Sequence, residues 1–422
     1  MSQHPAEMVA VTPAGGLAPS TAARLLWVRG LRAFADGFVS LLLPIYLGML
    51  GMPPFQVGVI VTVTLLGSGM LTLWVGLRAY RHDYRTLLLL ATALMAATGI
   101  GFAVLSDFWP LLLVAFIGTL NPSGGDVSVF LPLEHALLAR AADERRRTAL
   151  FARYSVVGTL VAAVGTLFAG LPDMVAAAAH APVQTAFQAM FGLYALVGVL
   201  SAWIYRKLPP QRPAAGRASD APLKESKRRV LVLAALFSLD AFGGGFVVQS
   251  LLALWLFQKY QLSALAAGAI FFWTGVLSAL SYLVAAKVAD RFGLLNTMVF
   301  THLPSSLLLI AIPFMPTLGW ALALLLARSA LSQMDVPTRS SYVMAVVTPR
   351  ERPAAASITS VPRSLMAALS PVLAGYLLNR STFGWPLVAA GAAKIVYDVL
   401  LYLMFRNVRP PEASQRSAAR SA

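Results

Sequence analysis

The chain has 422 residues, 58% of them hydrophobic and only 12% charged, with a mean hydropathy of +0.73. A soluble domain of this length cannot hide so much apolar surface, so the composition excludes a water-soluble globule. The absence of cysteine excludes disulfides, thiolate metal sites and cysteine nucleophiles, and the formal charge of +16 is explained without nucleic acid by basic residues held at one face of a membrane.

Residues 1–25 carry no compact basic and apolar leader pattern and read as a disordered tail. Apolar stretches of roughly 20 residues, each enough to cross about 30 Å of hydrocarbon, then follow one another. Hydropathy and breakers predict spans at 26–50, 55–79, 86–105, 109–139, 148–171, 184–205, 230–257, 263–286, 294–315, 318–347, 354–379 and 384–405. With the N-terminus cytoplasmic, the opposite loops contain only Lys259 and Arg380, and nearly every other loop Lys or Arg lies on the cytoplasmic side. The positive-inside rule therefore predicts both termini inside and an even number of spans. The longest polar stretch, 206–229, is rich in Pro, Ala, Ser and charge and reads as a flexible linker. It separates a unit at 26–205 from one at 230–405, and residues 406–422 form a second cytoplasmic tail.

The two units are repeats. LRAFADGFV (31–39) aligns with LDAFGGGFV (239–247), Gly58 with Gly268, Asp126 with Asp335, and Arg153 with Arg363, in order and at a shift of about 209 residues. Six spans per copy give parallel repeats. Folds built in this way place substrate near mid-membrane, between halves that rock against each other.

At this point the chain resembles the major facilitator superfamily. AAKVADRFG (285–293) is similar to that family's loop motif in Asp290, Arg291 and Gly293, with Ala286 where Gly is usual. The matching first-half loop, GLRAYRHDYR (76–85), keeps Gly76 and Arg81 but has Tyr80 in place of the Asp. The resemblance covers 26–405. It implies an all-α membrane protein of twelve transmembrane helices in two pseudo-symmetric six-helix bundles, sitting as a multi-pass monomer in a bacterial inner membrane. It also implies that Asp290 braces the start of span five, where Arg153 is the available cation, and that this pair holds an outward-facing state. The competing reading leaves both side chains solvated at the interface.

An ionisable residue in hydrocarbon is costly and normally faces a cavity or a partner. Arg32, Asp36, Asp126, Asp240, Asp335 and Arg339 are the candidates for the substrate and proton pathway. Arg32 and Asp36 are four apart, share a helix face and are placed to form an internal ion pair, structural or functional. Asp240, the repeat partner of Arg32, has no cationic neighbour along the chain. Asp126 follows the helix-breaking NPSGG (121–125) and Asp335 precedes Pro337 and Arg339, so both suit either a cavity wall or a bending gate. Glu134, Arg328, Lys394 and Asp398 read as interfacial or helix-contact residues. The five histidines fall on tails, loops and span ends, without metal-ligand spacing.

No catalytic constellation or phosphate-cradling loop is present, so neither an enzyme nor an ATP-driven pump is expected, and no cofactor, metal or nucleic acid. The expectation is a secondary carrier of a small organic solute working by alternating access. Protons are its coupling ion, through Asp36 or Asp240, and efflux is favoured over nutrient or vitamin uptake. The alternative from another class is a non-transporting membrane sensor of the same fold.

Overall fold

The computed structural model describes residues 19–78, 82–124, 128–141, 144–210, 225–348 and 351–408. Among these residues every regular element is helical. That follows from the solvent, because a chain in hydrocarbon has no water to satisfy its peptide groups and must bond them within each segment. The first half comprises α1 (Pro19–Met49), α2 (Pro54–Arg78), α3 (Tyr84–Val104), α4 (Phe108–Ile117), α5 (Phe130–Ala141), α6 (Glu144–Leu167), α7 (Leu171–Ala179) and α8 (Val183–Tyr205). The second comprises α9 (Lys227–Gly245), α10 (Gln249–Tyr260), α11 (Ala264–Phe292), α12 (Leu294–Ala311), α13 (Leu318–Leu331), α14 (Asp335–Val346), α15 (Arg352–Arg380) and α16 (Trp385–Phe405).

Among the described residues ten helical segments are long and apolar enough to cross a membrane. The stretches expected as spans four and ten are each broken into two shorter helices, α4 with α5 and α13 with α14. In the first case NPSGG interrupts the ladder, and Gly124 takes a φ of +67° that only glycine adopts easily. Trp27, Trp109, Trp203, Trp320 and Trp385, all near span ends, are well exposed on the protein surface, as an interfacial belt requires. Trp255 differs from these. It is fully buried and its Nε1 donates to the Thr382 carbonyl at 3.2 Å.

The side of the molecule carrying the start of α1 and the end of α16 is here the terminus side, and the opposite one the far side. The largest apolar core joins the halves on the far side, with Leu42, Val57 and Phe191 in the same cluster as Leu251, Trp255 and Leu378. On the terminus side each half has its own core, one around Leu88, Phe130 and Tyr205, the other around Leu233, Val343 and Phe405. The halves touch through glycines. A Cβ on Gly58 of α2 would lie 2.6 Å from the Pro371 carbonyl oxygen and 2.8 Å from Gly375 Cα on α15. A Cβ on Gly268 of α11 would lie 2.4 Å from the Thr166 carbonyl oxygen of α6, whose own hydroxyl donates to the Gly268 carbonyl at 2.9 Å. Gly58 and Gly268 are repeat partners, and so are Gly375 and Thr166, so a single crossing is built twice.

From that crossing the helices diverge. Gly69, eleven residues along the same face of α2, has open space where its side chain would be. The α15 face that meets α2 at Pro371 and Gly375 continues at helical spacing to Ser364, Ser360 and Ser357, all exposed. The molecule is a wedge, shut on the far side and open on the terminus side.

Candidate functional site

Each half carries a buried ion cluster that ties its first helix to its broken helix. In the first half, Glu134 of α5 is fully buried and takes three donors from three other helices. Arg32 of α1 and Tyr154 of α6 both donate to Oε2, and the Tyr205 hydroxyl of α8 donates to Oε1 at 2.5 Å. The Arg32 guanidinium also lies 4.0 Å from the centre of the Phe130 ring, and that of Arg29 lies 5.1 Å from the Tyr154 ring. A buried carboxylate is tolerable only with this density of donors. Gly158 supplies room for Arg29, since any Cβ there would fall 2.2 Å from its guanidinium.

The second-half cluster joins four helices. Asp240 of α9 faces Lys394 Nζ of α16 at 2.7 Å, an Arg339 guanidinium nitrogen of α14 at 3.2 Å, and His302 Nε2 of α12 at 3.6 Å. Arg339 also pairs with Asp335 one turn earlier. His302 Nδ1 lies 3.0 Å from both oxygens of Asp398, and Lys394 Nζ lies 3.4 Å from His302 Nε2. The polarity is inverted between repeats. In the first half α1 contributes the cation and α5 the acid; in the second α9 contributes the acid and α14 the cation.

Several sequence expectations need correcting. Arg32 gives its hydrogen bond to Glu134 on another helix rather than forming the local pair expected with Asp36, whose carboxylate accepts from Asn121 Nδ2 at 3.4 Å. Asp240, without a cation nearby along the chain, takes its cationic partners from α14 and α16. Glu134 and Asp398 are fully buried, and Lys394 is mostly so, instead of lying at interfaces. His302 is buried in the middle of α12 instead of at a span end. The signal for the last three was present in Lys394 and Asp398 standing four apart within an otherwise apolar span, and in a histidine well inside one.

The loop-motif residues form no brace in this structure. Asp290 and Arg153 are both exposed and make no ion pair with each other. Arg291 lies 5.5 Å from the ring of Phe292, and Gly293 ends α11 at a φ of +84°. Gly76 lies within α2, while Arg81 and Asp126 lie outside the described residues. Arg363 of α15 is half-buried, with no hydrogen-bond or ion-pair partner among the described residues. Arg328 likewise lacks a partner but belongs to α13, which packs between α11 and α12.

The breaks in spans four and seven also meet. The Ser250 amide, at the start of α10, donates to the Pro122 carbonyl at 3.2 Å, and Gln249 packs on Gly124. Asn121, which bonds Asp36, also accepts from the Ser123 amide and hydroxyl at 3.2 and 2.7 Å. A carboxylate in one half is thus two residues from a contact with the other.

The family model described as "Major Facilitator Superfamily" matches residues 25–334 and 236–422. The chain belongs to the major facilitator superfamily. An uncharacterized membrane protein of Saccharomyces cerevisiae is 24% identical over 421 residues, covering 91% of this chain and 94% of the yeast protein. Among solved structures, a D-xylose–proton symporter superposes with a TM-score of 0.70 at 14% identity, over 92% of this chain and 98% of that one. A point mutant of the nucleoside transporter NupG gives 0.69 at 14% identity, over 91% and 100%. At such identities these structures establish the transporter fold and nothing about the solute.

Proposed function

We propose that this major facilitator protein is a proton-coupled carrier that exports a small organic solute across a bacterial inner membrane, with both termini cytoplasmic. The observation that carries this reading is the chain of contacts Asp240–Lys394–His302–Asp398. Lys394 is shared between a carboxylate and an imidazole nitrogen. When His302 is neutral with its proton on Nδ1, Asp398 accepts that proton's hydrogen bond and Nε2 accepts from Lys394. A proton arriving at Nε2 places two cations side by side, and Nε2–H then has Asp240 as its nearest acceptor. Protonation therefore exchanges the partner of Asp240 from α16 to α12 and loosens the hold of α16 on α9. A carrier needs such a link between proton binding and helix packing. In the resting cluster Arg339 is shared between Asp335 and Asp240, and the first-half cluster around Glu134 serves as the rigid counterpart. The terminus-side opening is then the inward-facing state.

The test is flux in proteoliposomes under an imposed pH gradient, with Asp240→Asn and His302→Gln beside the wild-type protein. Loss of gradient-driven flux in both variants, with solute exchange at equal pH retained, is the expected result. Full gradient-driven flux in both would remove this cluster from the coupling role and shift attention to Asp36.

A further inference from the structure

The walls of the gap between the halves indicate what kind of solute it receives. The two innermost helices, α1 and α9, are repeat partners, and each is covered by its own half on most of its circumference. The strip left partly uncovered in mid-helix is the same on both and is apolar: Leu31 and Phe34 on α1, Leu239 and Phe242 on α9. Helices α1 and α9 have no packing interface with one another, and their strips lie where the cores thin out, Leu31, Phe34 and Phe242 at the edge of the far-side core and Leu239 at the edge of the second half's own core. Phe34 stands edge-on to Phe38 and Phe168, and Phe242 edge-on to Phe246, which fixes both rings in place. The charges of these helices, Arg32, Asp36 and Asp240, are turned away from the gap and satisfied inside their own halves. A sugar or polyol would find few fixed hydrogen-bonding groups on these strips.

Among the described residues two buried arginines have no hydrogen-bonded partner, Arg328 and Arg363, and Arg363 is the one on a helix packed against α9. Arg363 is eleven residues into α15, about 16 Å along its axis, level with Leu239, which is about 18 Å into α9. It sits beside the exposed serine face of α15, on the flank that turns toward α9, and its buried Nε has no acceptor. Arg339 and Lys394 are cations too, but each is committed to an aspartate. Asp240 and Asp335 act on this guanidinium from beyond hydrogen-bonding distance and the Arg339 cation opposes them, so a buried N–H without an acceptor beside a like charge is costly, and an incoming anion lowers that cost.

We infer that the solute is an amphipathic organic anion, its apolar body lying between the Leu31–Phe34 and Leu239–Phe242 strips and its carboxylate, sulfate or sulfonate bound to Arg363. This rests on the carrier reading above and narrows its substrate class. Ser360 and Ser364 on the same helix now donate their hydroxyls to the Ser357 and Ser360 carbonyls at 3.3 and 3.2 Å, and must turn from them to give a further hydrogen bond to the anion.

The experiment uses the full-length purified chain with estrone sulfate and taurocholate as amphipathic anions, and xylose, uridine and tetraphenylphosphonium as neutral and cationic comparisons. Two readouts are taken: thermal melting in detergent with each solute, and labelled-solute flux in proteoliposomes. The expected result is a higher melting temperature and flux with one or both anions only. Arg363→Gln loses at least tenfold in apparent affinity, and Arg363→Lys recovers part of it. Arg363→Gln and Arg363→Lys binding anions as the wild-type protein does would overturn the assignment of Arg363. Transport of xylose, uridine or tetraphenylphosphonium without either anion would overturn the substrate class while leaving the carrier reading intact. No flux and no stabilisation with any of the five, in protein that melts cooperatively, would overturn both.

Discussion

Glu134 is the residue on which the first half is most dependent. Three donors from three helices end on one carboxylate, so removing it leaves the Arg32 cation and two tyrosine hydroxyls buried without an acceptor. Breaking a buried pair from one side typically costs about 3–5 kcal/mol. Glu134→Ala should therefore lower the melting temperature in detergent markedly, while the double change Arg32→Met with Glu134→Leu should recover much of the loss. An unchanged melting temperature in Glu134→Ala would show that water or another group already compensates Arg32. The residue scale is also where sequence reading reached least far. Hydropathy located the intramembrane charges, and the repeat paired Arg32 with Asp240. The partners of those charges stand 102 positions away for Arg32 and 154 for Asp240. Sequence spacing exposes contacts within one helix, such as Asp335 with Arg339, and is blind to contacts between helices. That blindness explains both the expected Arg32–Asp36 pair and the placing of Glu134 at an interface.

At the scale of elements, the repeat was the most informative feature of the sequence, because it marked Gly58 and Gly268 before any contact was known. Their meaning came from packing. Each is the point where a helix of one half crosses a helix of the other at backbone distance, a closeness that only small residues permit. Gly58→Val should therefore prevent α2 from meeting α15 at Pro371 and Gly375 and hold the far side open. In membranes of known orientation, a thiol placed on the far-side end of α15 should then react with an impermeant maleimide faster than in the parent protein. An unchanged rate would mean that the crossing yields by helix shift. The breaks in spans four and ten were legible from NPSGG and from Pro337, but their separation into four distinct helices was not. Hydropathy is averaged over a window longer than the break.

For the whole molecule, class, span sequence and the two-unit plan followed from composition and periodicity, since bilayer thickness leaves a chain few solutions. The conformational state did not, because one sequence serves every state of a rocking carrier. Ser360→Cys and Ser364→Cys should label from the terminus side, and Gly375→Cys should not. The natural chain has no cysteine, so each variant carries a single thiol. Labelling of all three at similar rates from the terminus side would contradict a wedge closed at the Gly58 crossing. That crossing, with its repeat-related twin, also sets the leverage of the machine. The two contacts act as an axle, and the arm of α2 from Gly58 to Gly69 is about 16 Å long. To part by about 5 Å at the end of that arm, enough to admit a flat ring, α2 needs a tilt of only roughly 18°. So short a stroke lets each six-helix unit turn as a solid body, its internal ion clusters intact, with the work of opening concentrated at two points of bare backbone.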